Sequence, residues 1–253
     1  MTTAVGRHEH AVEITNLSRR FGNFTAVDQI SLTVDYGQIF GFLGANGAGK
    51  TTAIRMLCGL LMPSGGDGRV AGYDIRKQPE MIKRSIGYMS QKFSLYRDLT
   101  GRENLSFYGA AYGLTNASLK ARIEDVSERL DLGGFIDELS GKLPIGWRQR
   151  LALGAAILHR PRILFLDEPT GGVDPVFRRT FWDLLYDLAA EGVAVFVTTH
   201  YMDEAEYCGE ISIMHRGQII ERGRPYDLKT KHRSGSLEDL FVDLIRGREA
   251  AHA

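Results

Sequence analysis

Cysteine is scarce: Cys58 and Cys208 are the only two in 253 residues. Two thiols exclude a disulfide-stapled secreted scaffold. Neither sits in metal-type spacing, so the expectation is reduced thiols in a cytoplasmic protein. Excess charge is lacking too. Lysine plus arginine total 31 and aspartate plus glutamate total 31, leaving no net field of the kind that draws in nucleic acid or an anionic membrane. No apolar run approaches the roughly 18 residues of a membrane span. The opening MTTAVGRHEHAVEI has no apolar h-region, so a secretory signal is not expected there. No internal repeat or low-complexity tract is evident. What remains is an ordinary globular composition, 43% hydrophobic and 25% charged. The length supports a sizeable core in one large domain or two small ones.

The pattern along the chain is mixed. VEITNLS, ISLTV and QIFGFLG, between Val12 and Gly44, read as short strands, and GRVAGYDI as a hairpin edge. TAIRMLCGLL has helical spacing. So do ENLSFYGAAYG, SLKARIEDVSERLDL and WRQRLALGAAIL, between Thr100 and Leu158. Two apolar runs, ILFLD and VAVFVTT, flank the helix-like FRRTFWDLLYDLAAEG. Strands alternating with helices predict a parallel α/β sheet. ISIMHRG and QIIERG predict a hairpin. SLEDLFVDLIRG predicts a last helix with Ser236 as N-cap and Leu237, Leu240, Phe241 and Leu244 on one stripe.

Gly44-Ala45-Asn46-Gly47-Ala48-Gly49-Lys50-Thr51 matches G-x-x-x-x-G-K-[ST], after an apolar strand and before a helix. Glycines let backbone N–H groups close around phosphate oxygens, and the helix N-terminus adds positive charge. Lys50 is expected to reach the β- and γ-phosphates and the Thr51 hydroxyl to ligate Mg²⁺. A Gly-rich turn by chance is the bland alternative, and the strand–loop–helix context argues against it.

The strand Ile163–Asp167 ends in Asp167-Glu168. In a phosphate-loop fold the strand-end Asp167 holds Mg²⁺, and Glu168 is placed to polarise an attacking water as general base. Alone, Asp-Glu after a strand is a weak signal; beside a phosphate loop it is strong. Gln91 follows the strand IGYMS, and His200 follows VAVFVTT. Ligands of parallel α/β sheets bind at carboxyl ends of strands, which puts both residues at the predicted site edge.

Together these residues resemble the nucleotide-binding subunit of an ABC transporter, from about Val12 to Ile245. The elements fall in family order: GANGAGKTT, Gln91 as Q-loop, a signature region, ILFLDEP, Gly172-Val173-Asp174-Pro175 as D-loop, and His200 as H-loop. The resemblance implies ATP and Mg²⁺ as cofactors. It places Thr52 with the phosphate loop, Gln91 also at the metal, and Asp174 at the nucleotide. RRFGNFTAVD is similar to the adenine-stacking A-loop, with Phe21 where Tyr is usual. Phenylalanine keeps the aromatic face.

In this family the signature pentapeptide lies a fixed distance before the strand-end Asp. That register selects Leu143-Pro144-Ile145-Gly146-Trp147 and leaves Leu139-Ser140-Gly141 as a decoy at a helix end or loop. The usual signature Ser offers a hydroxyl to the γ-phosphate of ATP held by the opposite subunit. Pro144 has neither hydroxyl nor N–H. Contact must then come from backbone N–H groups near Gly146 and from the helix dipole. An unreplaced charge-assisted hydrogen bond is worth on the order of 1.5–3 kcal/mol. Trp147, Leu151, Gly154 and Leu158 are expected to form that helix's buried face. The segment through GGVDP resembles a bacterial exporter subgroup with ABC-2-type permeases, often associated with multidrug efflux.

The expected fold is α/β: a P-loop NTPase (RecA-like) core, an antiparallel β-subdomain, and an inserted α-helical subdomain over about 92–150. Residues 1–10 and 247–253 are expected to be disordered around a single domain, 11–246. The resemblance implies ATP hydrolysis by a head-to-tail dimer, homodimeric or paired with a second nucleotide-binding subunit. It implies integral membrane permease subunits that dock near Gln91 and the helical subdomain, at the cytoplasmic face of the plasma membrane. Nucleic acid is not an expected partner. Three other readings stand beside it. One is a soluble ABC-type ATPase acting on nucleic acid or ribosomes, which a salt-dependent nucleic-acid affinity would favour. Another is a structural role without hydrolysis, against which Glu168 speaks. The third is import, against which the exporter-like ENLSFYGAAYG and SLEDLF segments speak.

Overall fold

The structure is a computed structural model, described here for residues 10–91 and 94–250. Two sheets organise it. The first is antiparallel, in the order β2-β1-β4-β5, from β1 (His10–Phe21), β2 (Phe24–Asp35), β4 (Gly65–Val70) and β5 (Tyr73–Asp74). The second runs β10-β9-β3-β8-β7-β6, from β3 (Ile39–Leu43), β6 (Ile86–Met89), β7 (Ile163–Asp167), β8 (Ala194–Thr199), β9 (Glu210–His215) and β10 (Gln218–Gly223). Its strands are parallel except β10, which forms the predicted hairpin with β9.

The strand carrying the phosphate loop, β3, is separated from the acidic strand β7 by β8. All residues of β3, β7 and β8 are buried. Parallel strands covered on both faces read as unbroken apolar runs, which is why ILFLD and AVFVTT show no alternation. The pleat still sorts them. Phe40, Phe42, Phe165 and Phe196 face the antiparallel sheet and α1 (Lys50–Leu57). Leu43, Leu164, Leu166, Val195 and Val197 face the other core, beneath the helices.

That second core is roofed by α3 (Gly101–Ala111), α4 (Asn116–Arg129), α5 (Ile145–Ile157) and α6 (Pro175–Ala190). Thr100 and Glu103 close a capping box on α3. Shorter helices are α2 (Pro79–Ser85), α7 (Met202–Ala205) and α8 (Pro225–His232); α9 (Leu237–Ala250) ends the described chain. Ser236 caps α9, its Oγ accepting from Asp239 N at 3.0 Å. Two terminal expectations need correction. His10 already pairs with Asp35 in β1, and α9 continues through Ala250, so neither boundary lies where composition alone put it. The rest of the expected disordered ends, 1–9 and 251–253, lies outside the described residues. No helix among the described residues is long and apolar enough to cross a membrane.

Candidate nucleotide site

The phosphate loop leaves β3 and enters α1 at Lys50. Gly49 has φ of 106°, and a Cβ there would lie 2.5 Å from the Ala26 carbonyl, so only glycine fits. The loop is held from outside by Gly44 N donating to Thr199 O at 3.3 Å and Gly217 N donating to Ala48 O at 2.9 Å. Its pocket is lined by Asn46 to Thr52, by Gln91 and Glu168, and by Phe24 and Ala26 of β2.

Lys50 is 5% exposed. Its Nζ donates to Gly44 O at 2.6 Å and Ala45 O at 3.1 Å, and lies 3.8 Å from Glu168 Oε1. Burial pushes its pKa down, while the Glu168 and Asp167 carboxylates pull it back. A partly desolvated cation aimed at a Gly-rich loop is built to meet an anion. Asp167 is buried at the end of β7, and its Oδ1 accepts from Thr51 Oγ1 at 3.1 Å and Thr198 Oγ1 at 2.6 Å.

Glu168 has φ of 51°, an uncommon conformation for a residue with a side chain. Its N–H donates to both the carbonyl and the hydroxyl of Thr198, at 3.1 and 3.0 Å. The turn presents its carboxylate to three partners. Gln91 Nε2 donates to Oε2 at 2.8 Å, His200 Nδ1 lies 3.2 Å from Oε2, and Lys50 faces Oε1. The His200 nitrogen is buried and is not aligned to bond. The structure therefore gathers Lys50, Thr51, Gln91, Asp167, Glu168 and His200, which sequence spacing predicts, at the carboxyl ends of β3, β6, β7 and β8.

A hydroxyl, a carboxylate and an amide form an oxygen-donor set that suits Mg²⁺, with phosphate oxygens and water completing the shell. Among the described residues no three His, Cys, Asp or Glu side chains cluster as a metal site. The oxygen donors that the described residues bring to this place are Thr51, Asp167 and Gln91. Both cysteines are buried, and burial pushes both thiols up, so neither is a nucleophile.

Other expected residues lie apart from this pocket. Phe21 is 45% exposed and carries the Arg19 guanidinium 4.5 Å over its ring; it pairs in register with Phe24, the ring that lines the pocket. Sequence reasoning missed Phe24, although it stands three residues on in the same hairpin. Asp174 N-caps α6, its Oδ1 accepting from Val176 N and Phe177 N at 3.0 Å each. Pro144 N-caps α5 without a side-chain bond. Gly146 is buried, and a Cβ on it would meet the Phe177 ring at 2.6 Å. Trp147 is half-buried against Phe135, while Leu151, Gly154 and Leu158 are buried. Ser140 lies in a 3-10 turn (Ser140–Lys142), 1% exposed, with its hydroxyl donating to Tyr96 O. That hydroxyl is committed to the interior.

The ABC transporter family model matches residues 27–171. A second model, described as an AAA domain of a putative AbiEii toxin, matches 143–202, around the acidic strand. The chain is 42% identical over 250 residues to the probable multidrug ABC transporter ATP-binding protein YbhF of Escherichia coli K12, covering 97% of this chain but 43% of that protein. It is 38% identical over 241 residues to the daunorubicin/doxorubicin resistance ATP-binding protein DrrA of Streptomyces peucetius, covering 95% of this chain and 73% of that one. The solved structure of an ATP-binding subunit of an ABC transporter superposes with a TM-score of 0.83 at 28% identity, covering 93% of this chain and 99% of that chain. A RecA-like α/β fold, a phosphate loop facing an acidic strand end and these matches converge: this chain belongs to the ABC transporter family, as an ATP-binding domain.

Proposed function

We propose that the chain hydrolyses ATP to power export of a substrate through separate membrane permease subunits of ABC-2 type. The observation that carries the chemistry is Glu168, fixed at a strand end between Lys50, Gln91 and His200. ATP would place its phosphates in the loop 44–51, under Lys50 and the N-terminus of α1. Thr51 and Asp167, with Gln91, would hold Mg²⁺, which supplies charge neutralisation on the phosphates. Glu168 would accept the proton of the attacking water, and His200 and Gln91 would orient Glu168 and the γ-phosphate. Adenine would stack on the aromatic edge formed by Phe21 and Phe24.

Two copies would pack head-to-tail, each α5 N-terminus facing the other's phosphate loop. None of Leu143 to Trp147, nor Asp174, lines the pocket of its own chain, which supports a site completed from outside. With Pro144 lacking a donor, the α5 backbone N–H groups would supply that contact. Export, rather than import or work on nucleic acid, follows the names of the relatives, one multidrug and one antibiotic-resistance protein. The complex would lie at the cytoplasmic face of the membrane.

Phosphate release from Mg·ATP by the purified chain tests this, with Glu168→Gln as control. Turnover that disappears in Glu168→Gln while ATP binding persists is the expected result. Turnover unaffected by Glu168→Gln would overturn the assignment.

A further inference from the structure

Behind the site lies a second buried carboxylate, Glu204 on α7, 1% exposed. It has no place in the phosphate chemistry above. Its Oε2 accepts from Thr199 Oγ1 at 2.6 Å and its Oε1 accepts from Thr170 Oγ1. Arg178 Nε of α6 lies 3.5 Å from Oε1. Burial raises its pKa, and the two threonine hydroxyls and Arg178 oppose that rise.

Those partners belong to separate parts of the site. Thr170 stands two residues after Glu168. Thr199 immediately precedes His200. Successive side chains of a strand point to opposite faces. At the end of β8, Thr198 therefore turns to Asp167 and Thr199 turns to Glu204. The Thr199 hydroxyl also accepts from Tyr201 N at 2.9 Å, closing a turn around His200. A second route reaches the same ring. His200 packs on Tyr201 with ring centroids 4.1 Å apart, and the Arg178 guanidinium lies 5.0 Å from the Tyr201 ring. Arg178 is itself paired with Asp203 at 2.5 Å.

We infer that Glu204 is a positioning residue: it ties the Thr170 loop to the Thr199–Tyr201 turn and so sets His200 against Glu168. The inference rests on the ATPase reading, since it concerns how that site is held. Glu204 is buried and is not among the residues that line the phosphate pocket. Its effect on turnover passes through His200.

The test is a double-mutant cycle of Glu204→Gln and His200→Ala, read as kcat and KM for ATP hydrolysis. Displacement of a reacting group by about 1 Å costs on the order of 100-fold. Glu204→Gln alone should thus lower kcat by roughly 10- to 100-fold, with KM changed less than about threefold. In the His200→Ala background the same substitution should change kcat by less than about threefold. An equal loss in both backgrounds, or a raised KM at constant kcat, would overturn the inference. Thr199→Val removes one of the two threonine links and serves as the milder variant, with unfolding curves recorded for each. The His200 ring signals in ¹⁵N-histidine-labelled protein, assigned by their loss in His200→Ala, need no turnover. They should shift in Glu204→Gln, and unchanged signals would sink the positioning role. A wild type without hydrolysis would refute the ATPase reading, and the ring signals would then decide alone.

Discussion

Gly146→Ala should destabilise the chain although alanine is the better helix former. Gly146 is the second residue of α5, and its missing side chain lets the Phe177 ring of α6 approach. A Cβ would lie 2.6 Å from two ring atoms and 2.8 Å from a third. The ring has little freedom to retreat. It sits edge-on to Trp147 with centroids 6.1 Å apart, and the Arg150 guanidinium lies 4.8 Å over it. Helix propensity favours alanine by up to about 1 kcal/mol. Overpacking costs about 1–3 kcal/mol, and a weakened cation–π contact costs roughly 0.5–2 kcal/mol more. The steric side wins, by roughly 0.5–4 kcal/mol. For a chain of this length each kcal/mol lowers Tm by about 2–4 °C, so a fall on the order of 1–16 °C is expected in thermal unfolding followed by circular dichroism. Gly146→Ala combined with Phe177→Leu should recover much of the loss, because the smaller side chain makes room. A higher Tm for Gly146→Ala alone would refute the reasoning, showing that the α5–α6 approach is soft and propensity decides.

Further outcomes follow from single sites. His159 is stacked on Tyr112 at 3.6 Å with Nε2 3.0 Å from Ile86 O, and burial lowers its pKa from 6.5 to about 4. The unfolded chain then takes up the proton first. Stability present above pH 6.5 is lost as pH falls toward 4, by roughly 3 kcal/mol. His159→Phe should flatten that slope in denaturant titrations. Pro144→Ser supplies the missing signature hydroxyl and a cap for α5, and should raise turnover by up to about tenfold with a small change in Tm; unchanged turnover would mean that backbone N–H groups already suffice. Removing both rings, Phe21→Ala with Phe24→Ala, should weaken ATP binding by about 5- to 100-fold in calorimetry, the range expected of one aromatic–base stack. Lys50→Met should abolish the ATP-induced rise in Tm, because among the described residues no other lysine or arginine lines the pocket.

Much of the site was legible because its signals are local. The phosphate loop, the run ending at Asp167-Glu168, and the polar residues closing the strands at Gln91 and His200 each sit within a few positions of their own strand. The parallel sheet follows from alternating strands and helices. What stayed hidden is non-local. No periodicity shows that β8 lies between β3 and β7, or that Thr198 and Thr199 serve opposite faces. Phe24 and Phe21 look alike in sequence and both are exposed, and that Phe24 is the one lining the pocket shows only once the hairpin forms. That hairpin also bends: Asn16 and Gln29 adopt φ of 51° and 49°, and Asn16 falls inside a register shift between Ile14 and Leu17. Short helices such as Pro79–Ser85 and Met202–Ala205 have too few turns for an apolar stripe. Both terminal boundaries were misplaced because small and polar residues near His10 and after Gly247 mimic a disordered end. Strand pairing and helix continuation outweigh that local composition.

The measurement that tests the central claim most directly is the specific rate of Mg·ATP hydrolysis against protein concentration, with Glu168→Gln examined in parallel by sedimentation. A composite site between two copies predicts a specific rate that rises with concentration, and a Glu168→Gln protein that accumulates as ATP-bound dimer. A constant specific rate, with Glu168→Gln monomeric at saturating ATP, would contradict it.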